Sequence, residues 1–141
     1  MKRMTSTGML LLALIALSAC SSTQSISRSI DAYEAQAGRI ELGQSKEKVL
    51  EILLPTQADL APRFKKPSEQ YKEDGKLKEI YFFRTRSFPD GLVTDDEFMP
   101  YVFEDGVLVA IGWTAIGGPK TQAQPRETDT HIYHHGRDFY Y

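Results

Sequence analysis

Apolar positions fall along this chain in three patterns, and each change of pattern marks a change of structure. Met9 to Ala19 (MLLLALIALSA) is an apolar run broken only by Ser18. A membrane-spanning helix takes about 20 apolar residues, so this run is too short for one. Ser21 to Ser29 (SSTQSISRS) is polar and reads as a flexible tether. From Ile30 the spacing turns helical. Ile30, Tyr33 and Ala37 share a face, and Gly38 can close a short helix. Val49, Leu50, Ile52, Leu53 and Leu54 then crowd one broad face, with Lys46, Glu47, Lys48 and Glu51 elsewhere. Gly43 breaks the chain ahead of this second helix, Ser45 can cap it and Pro55 stops it. An amphipathic helix of roughly ten residues does not persist alone. It must lie on an apolar surface, and the rest of the chain offers a sheet.

Beyond an irregular stretch, Thr56 to Ser68, the pattern becomes that of strands. Leu77 to Ser87 (LKEIYFFRTRS) is rich in β-branched and aromatic residues, as are Glu97 to Glu104 (EFMPYVFE) and Val107 to Thr114 (VLVAIGWT). Phe88 to Asp96 is a loop. Asp74-Gly75 and Asp105-Gly106 sit between polar-apolar runs, and an Asp-Gly pair tolerates the positive φ of a tight hairpin turn. Tyr81, Phe82 and Phe83 are consecutive, so the pleat sends them to both faces of the sheet. Helices gathered ahead of a strand meander give an α+β two-layer sandwich, with two N-terminal helices packed on a three- to four-stranded antiparallel sheet. The domain is expected over residues 30–119. Residues 120–141 form a polar tail closing on HIYHHGRDFYY, expected to be poorly ordered or to add an edge segment.

The N-terminal run changes meaning once its surroundings are read. Lys2 and Arg3 precede it, and the chain's one cysteine, Cys20, follows Leu17-Ser18-Ala19 directly. This resembles the lipobox of bacterial lipoproteins, in which a peptidase cuts before a cysteine that already carries diacylglycerol. The resemblance implies a signal peptide over residues 1–19, cleavage between Ala19 and Cys20, and a lipidated Cys20 opening the tether of residues 20–29. Lipidation also accounts for a lone thiol in an oxidising compartment. Each buried methylene contributes about 0.8 kcal/mol and one acyl chain holds only marginally. A diacylglycerol with an amide-linked acyl chain meets the need for two or more. By resemblance to enterobacteria-like sorting, in which an aspartate after the cysteine favours inner-membrane retention, Ser21 implies the outer membrane and its periplasmic face. Loss of Lys2 and Arg3 moves the net charge from −2 to −4. Without a basic patch or a recognition motif, nucleic acid is not an expected partner.

Two internal stretches carry a second resemblance. They are Leu42-Gly43-Gln44-Ser45-Lys46-Glu47-Lys48-Val49 with Leu53 and Pro55, and Val102-Phe103-Glu104-Asp105-Gly106-Val107-Leu108. Together with the lipobox they resemble the SmpA/OmlA (BamE) group of small outer-membrane lipoproteins, loosely over residues 39–113. In that group a Gly-Met-Thr/Ser-Lys-x-x-Val stretch opens the second helix, and a Phe-x-Asp-Gly turn joins the last strands. Gln44 stands here in place of the methionine, and Leu54 in place of a glycine before the proline. The resemblance implies a non-enzymatic, protein-binding lipoprotein, accessory to the machinery that inserts β-barrels or to envelope integrity. A periplasmic ligand-binding or enzyme-inhibitory lipoprotein is the alternative.

Candidate chemistry is sparse. His131, His134 and His135 all lie in the tail, where no rigid shell orients a base, so no catalytic residue is expected. Asp90, Asp95, Asp96 and Glu97 form an acidic loop without the spacing of a calcium loop, so no metal is expected. No cofactor is expected beyond the lipid on Cys20. Arg84 and Arg86 follow Ile80 and Phe82 on one strand face. They either grip a carboxylate or phosphate or sit at the solvent end of the strand. The sheet face away from the helices must be covered by the tail, a loop or a partner, and Tyr101 and Trp113 allow the same readings, tail-covered or partner-binding. The tail's Gly136-x-x-Phe139-x-Tyr141 looks like the C-terminal β-signal of barrel proteins, which makes Phe139 and Tyr141 candidates for pairing with a partner sheet. The candidate partner-binding set is therefore Arg84, Arg86, Tyr101, Trp113, Phe139 and Tyr141.

Overall fold

The structure, a computed structural model, describes the backbone of residues 7–123 and side chains from Ser22 onward. Helix α1 runs over Thr7–Ala37. Among the described residues no helix is long and apolar enough to cross a membrane. The expected flexible tether is corrected here, because residues 21–29 are helical and continuous with the segment from Ile30. The physical reason is packing. Ile26, Ser29 and Tyr33 repeat at helical spacing and all are buried, with Ser29 only 2 % exposed. Ser29, which looks solvated in the sequence, is buried in the fold.

Helix α2 spans Lys46–Leu53. Ser45 caps it as its position suggests, its side chain accepting from the Lys48 amide at 3.3 Å. Gly43, ahead of it, adopts φ +89°. The chain then tightens into a 3-10 turn over Leu54–Gln57. That change of pitch rotates Leu54 away from the face occupied by Val49, Ile52 and Leu53. Expected with them, it is instead 52 % exposed.

Four strands form a simple meander: β1 (Glu69–Glu73), β2 (Lys76–Arg84), β3 (Phe98–Glu104) and β4 (Val107–Ile111), antiparallel in the order β1-β2-β3-β4. The fold is thus α+β, with both helices ahead of the sheet. Asp74 and Gly75 take φ of 52° and 78°, and Asp105 and Gly106 take 47° and 80°. Both Asp-Gly pairs therefore make the turns their chemistry favours.

The sheet buries both faces over part of its area. Against the helices lie Phe83, Tyr101, Phe103 and Leu108, packed with Tyr33, Val49, Ile52 and Leu53. On the far face Ile80, Phe82, Phe98 and Val102 pack with Ala110, Trp113 and Ile116. The last two belong to a 3-10 turn, Trp113–Ile116, that folds over the sheet after Gly112. Strand β4 serves both layers through a register shift. Phe103 faces Leu108 and Val102 faces Ala110, which leaves Val109 as an extra residue. One inserted residue reverses side-chain parity, so Leu108 points to one core and Ala110 to the other. Pro100 lies inside β3, a central strand. It is tolerated because it stands opposite the last residues of β4, where the Gly112 amide donates to its carbonyl at 2.8 Å and nothing is asked of its nitrogen.

Candidate functional site

The sequence-derived binding candidates separate sharply. Arg84 is not a surface residue. It is 2 % exposed, and its Nη2 lies 2.7 Å from Glu97 Oε1, itself fully buried. Nη1 donates to the Phe64 carbonyl at 3.2 Å, and the rings of Phe98 and Phe64 flank the guanidinium. Glu97 is fully engaged: Oε1 also accepts from the Phe88 amide and Oε2 from the Thr94 amide. The pair pins both ends of the β2–β3 loop, which is a structural duty, and among the described residues the buried Arg84 Nε has no hydrogen-bond partner.

Tyr101 is likewise corrected from surface to core. It is 1 % exposed and shares a 2.8 Å hydrogen bond with Tyr33 on α1. Burial raises the pKa of Tyr101, as does the bond to Tyr33. Burial also raises that of Tyr33, against a smaller lowering by the Tyr101 hydroxyl. Trp113 is half-buried, stacked on Phe82 at 5.6 Å, with its indole N–H donating to the Phe98 carbonyl at 2.7 Å. Arg86 is exposed beside the acidic loop. Phe139, Tyr141 and the three histidines lie outside the described residues. Ala19 and Cys20 sit within α1, close before Ser22, whose hydroxyl accepts from Arg63 Nη2 at 3.3 Å.

The acidic loop is spent on holding the chain together. Asp95 is partly buried, which works against ionisation. The hydrogen bond from Lys66 and the amides of Lys120 and Thr121 outweigh that and hold its carboxyl below the usual range. Asp96 behaves alike, with Thr94 and the Ala123 amide as donors. Among the described residues no cluster of metal-ligating side chains occurs.

Two features were not anticipated from the sequence. The first is the outer edge of β4. Val107, Val109 and Ile111 are 42, 44 and 40 % exposed, and Leu42 beside them is 63 % exposed. Gly43 to Lys46 pair with Gly106 and Leu108. Among the described residues nothing pairs with the edge beyond them. The opposite edge, β1, reads Glu-Gln-Tyr-Lys-Glu and is exposed throughout. Charge protects one edge from pairing and is missing from the other. The second is a cavity of about 240 Å³ where the 3-10 turn after α2 meets β2, walled by Leu54, Tyr81, Phe82 and Phe83. A second concavity, on the far face, is lined by Phe82, Trp113, Ile116 and the charged Lys66, Glu69, Asp95 and Lys120.

These features define a small two-layer α+β domain equipped with an open sheet edge and shallow cavities. The chain belongs to the family described as "Protein of unknown function (DUF3192)", which it matches over residues 19–117. No curated protein and no solved structure matches it.

Proposed function

We propose that this protein is a bacterial lipoprotein anchored through Cys20 to the periplasmic face of the outer membrane, where its domain acts as a non-enzymatic protein-binding module. The uncharged, apolar edge of β4 carries the binding part of this reading. An edge of that composition is a template for an added strand unless something covers it. Leu42, Val107, Val109 and Ile111 provide an apolar surface around it. The anchor is supported by the lipobox and by the start of the family match, one residue ahead of Cys20. The resemblance to SmpA/OmlA lipoproteins suggests barrel assembly as the setting.

The test is an in-cell photo-crosslink placed at Val109, with a second at Trp113 on the other side of the sheet, in protein whose lipid is confirmed by labelled palmitate and abolished by Cys20→Ala. Adducts from Val109 to a barrel-assembly component support the full reading. Adducts to a different envelope protein keep the binding role and discard that setting. Lipidated protein giving no adduct from Val109 would remove the β4 edge from consideration.

A further inference from the structure

The outer edge of β2 has a gap one residue wide, and the gap opens into a cavity. Strand β1 reaches only as far as Glu69, opposite Ile80. Four residues on, a side chain takes the place of a strand. The Arg84 amide donates to Gln57 Oε1 at 2.9 Å, and Gln57 Nε2 donates to the Arg84 carbonyl at 3.4 Å. Backbone groups of alternate residues in an antiparallel strand point to the same side. Those of Ile80, Phe82 and Arg84 therefore all face outward. Opposite Phe82 in β3 stands Pro100, consistent with Phe82 asking nothing of that strand. Glu69 meets Ile80 and Gln57 meets Arg84. Trp113 and Lys66 contact the Phe82 ring, but among the described residues no group outside the sheet hydrogen-bonds to the Phe82 backbone.

The cavity of about 240 Å³ lies at this gap. Its walls are Leu54, Tyr81, Phe82 and Phe83, and its charged residues are Lys65 and Lys66. No aspartate or glutamate lines it. The neighbouring far-face concavity also contains Lys66 and Phe82 but adds Glu69 and Asp95, which neutralise it from within. Lys66 already leans on those acids, at 3.7 and 3.1 Å. Lys65 is exposed and has no carboxylate partner among the described residues. For scale, a cavity of ~150 Å³ holds one benzene, whereas pockets for drug-sized ligands begin near ~300 Å³. The space suits one phenyl or branched alkyl group.

We propose that this cavity binds a hydrophobic carboxylate. Its apolar group packs against Leu54, Tyr81 and Phe83, and its carboxylate accepts from the Phe82 N–H and faces the Lys65 ammonium. The ligand class follows from three independent features: apolar walls, positive charge without acid, and one backbone donor left over by an interrupted ladder. Two sources carry this chemistry: a polypeptide C-terminus with an apolar last residue, and a free aryl or branched-chain acid. The proposal stands on the β2 edge and not on β4, so its failure leaves the protein-binding reading intact, and the reverse.

The test uses the full mature chain carrying Cys20→Ser, titrated while its amide ¹H–¹⁵N shifts are followed. The probes are 4-phenylbutyrate, its neutral amide, and a short peptide ending in phenylalanine with a free or an amidated C-terminus. The Phe82 amide is expected to shift and saturate with the acid. The neutral amide should bind about tenfold more weakly, the loss of one charge-assisted contact. Lys65→Gln should weaken the acid several-fold without moving the thermal unfolding midpoint. A free-carboxylate peptide that outbinds 4-phenylbutyrate assigns the site to chain termini, and the opposite order assigns it to free acids. Equal binding of acid and amide, shifts that bypass Phe82, or no saturation by roughly 10 mM would overturn the proposal.

Discussion

Cutting the Arg84–Glu97 pair is the most demanding test of how the far side of the sheet is held. The two groups are 2.7 Å apart with side chains 2 and 0 % exposed, so neither can turn to water when its partner goes. Arg84→Met keeps the length of the stem and removes the charge. It strands a carboxylate that retains only the Phe88 and Thr94 amides. Glu97→Gln keeps an oxygen for one of those amides and strands the guanidinium. Breaking a buried pair from one side costs about 3–5 kcal/mol. We expect about 3–4 for Arg84→Met and about 3 for Glu97→Gln, because the surviving hydrogen bonds soften the second. The double variant carries no orphaned charge, so it should cost about 2 kcal/mol less than the sum of the singles. The assay is urea unfolding followed by the fluorescence of Trp113, the chain's one tryptophan, which packs on the same layer. An Arg84→Met cost below about 1 kcal/mol, or strictly additive singles, would show that the pair is solvated and that the packing argument fails.

The Tyr33–Tyr101 pair makes a prediction with a definite sign in pH. Both phenols are held above their ordinary 10.0, so the folded state keeps protons that the unfolded state gives up. Their stabilisation is complete below about pH 10 and is lost as the pH climbs beyond it. Urea midpoints measured at about pH 8 and about pH 11 should fall steeply between the two in the parent and less steeply in Tyr101→Phe. At neutral pH that variant should cost about 1–2 kcal/mol, for a lost hydrogen bond and a hydroxyl left unpaired. A parent as stable at the higher pH would sink the assignment. Gly106→Ala meets no atom within 4 Å yet sits at φ +80°, so its cost is backbone strain alone, about 1–2 kcal/mol by the same urea measurement. Gly38→Ala, with equal space and no positive φ, serves as the near-neutral control.

What could be read from the sequence was what local chemistry decides. Asp105-Gly106 determines its own backbone, and Ser45 needs only the amide three residues ahead, so the hairpin turn and the cap stand where expected. Side-chain alternation placed Ile80, Phe82 and Arg84 on one face, correctly. It could not tell that Arg84 goes inside, because the reason lies thirteen residues away in Glu97. Ser21 to Ser29 misled for a related reason. Serines read as solvent-facing, and only docking by α1 makes a small residue valuable there. Gln57 gave no warning either. A glutamine standing in for a strand is recognisable only once the end of β1 is known.

If Cys20 carries the proposed lipid, continuity of α1 sets how far the domain can move from the bilayer. A coil of nine residues would span about 16 Å on average and close to 30 Å at full stretch, letting the domain swing and tumble over the bilayer. From Cys20 to Ile26, the first buried residue among those described, the helix advances only about 9 Å. A lipid on Cys20 would then hold the domain like a flag on a short pole, close to the surface and with little reach of its own. Encounters would depend on lateral diffusion of the whole lipoprotein in the membrane plane, and a partner would need to present its surface at one fixed height.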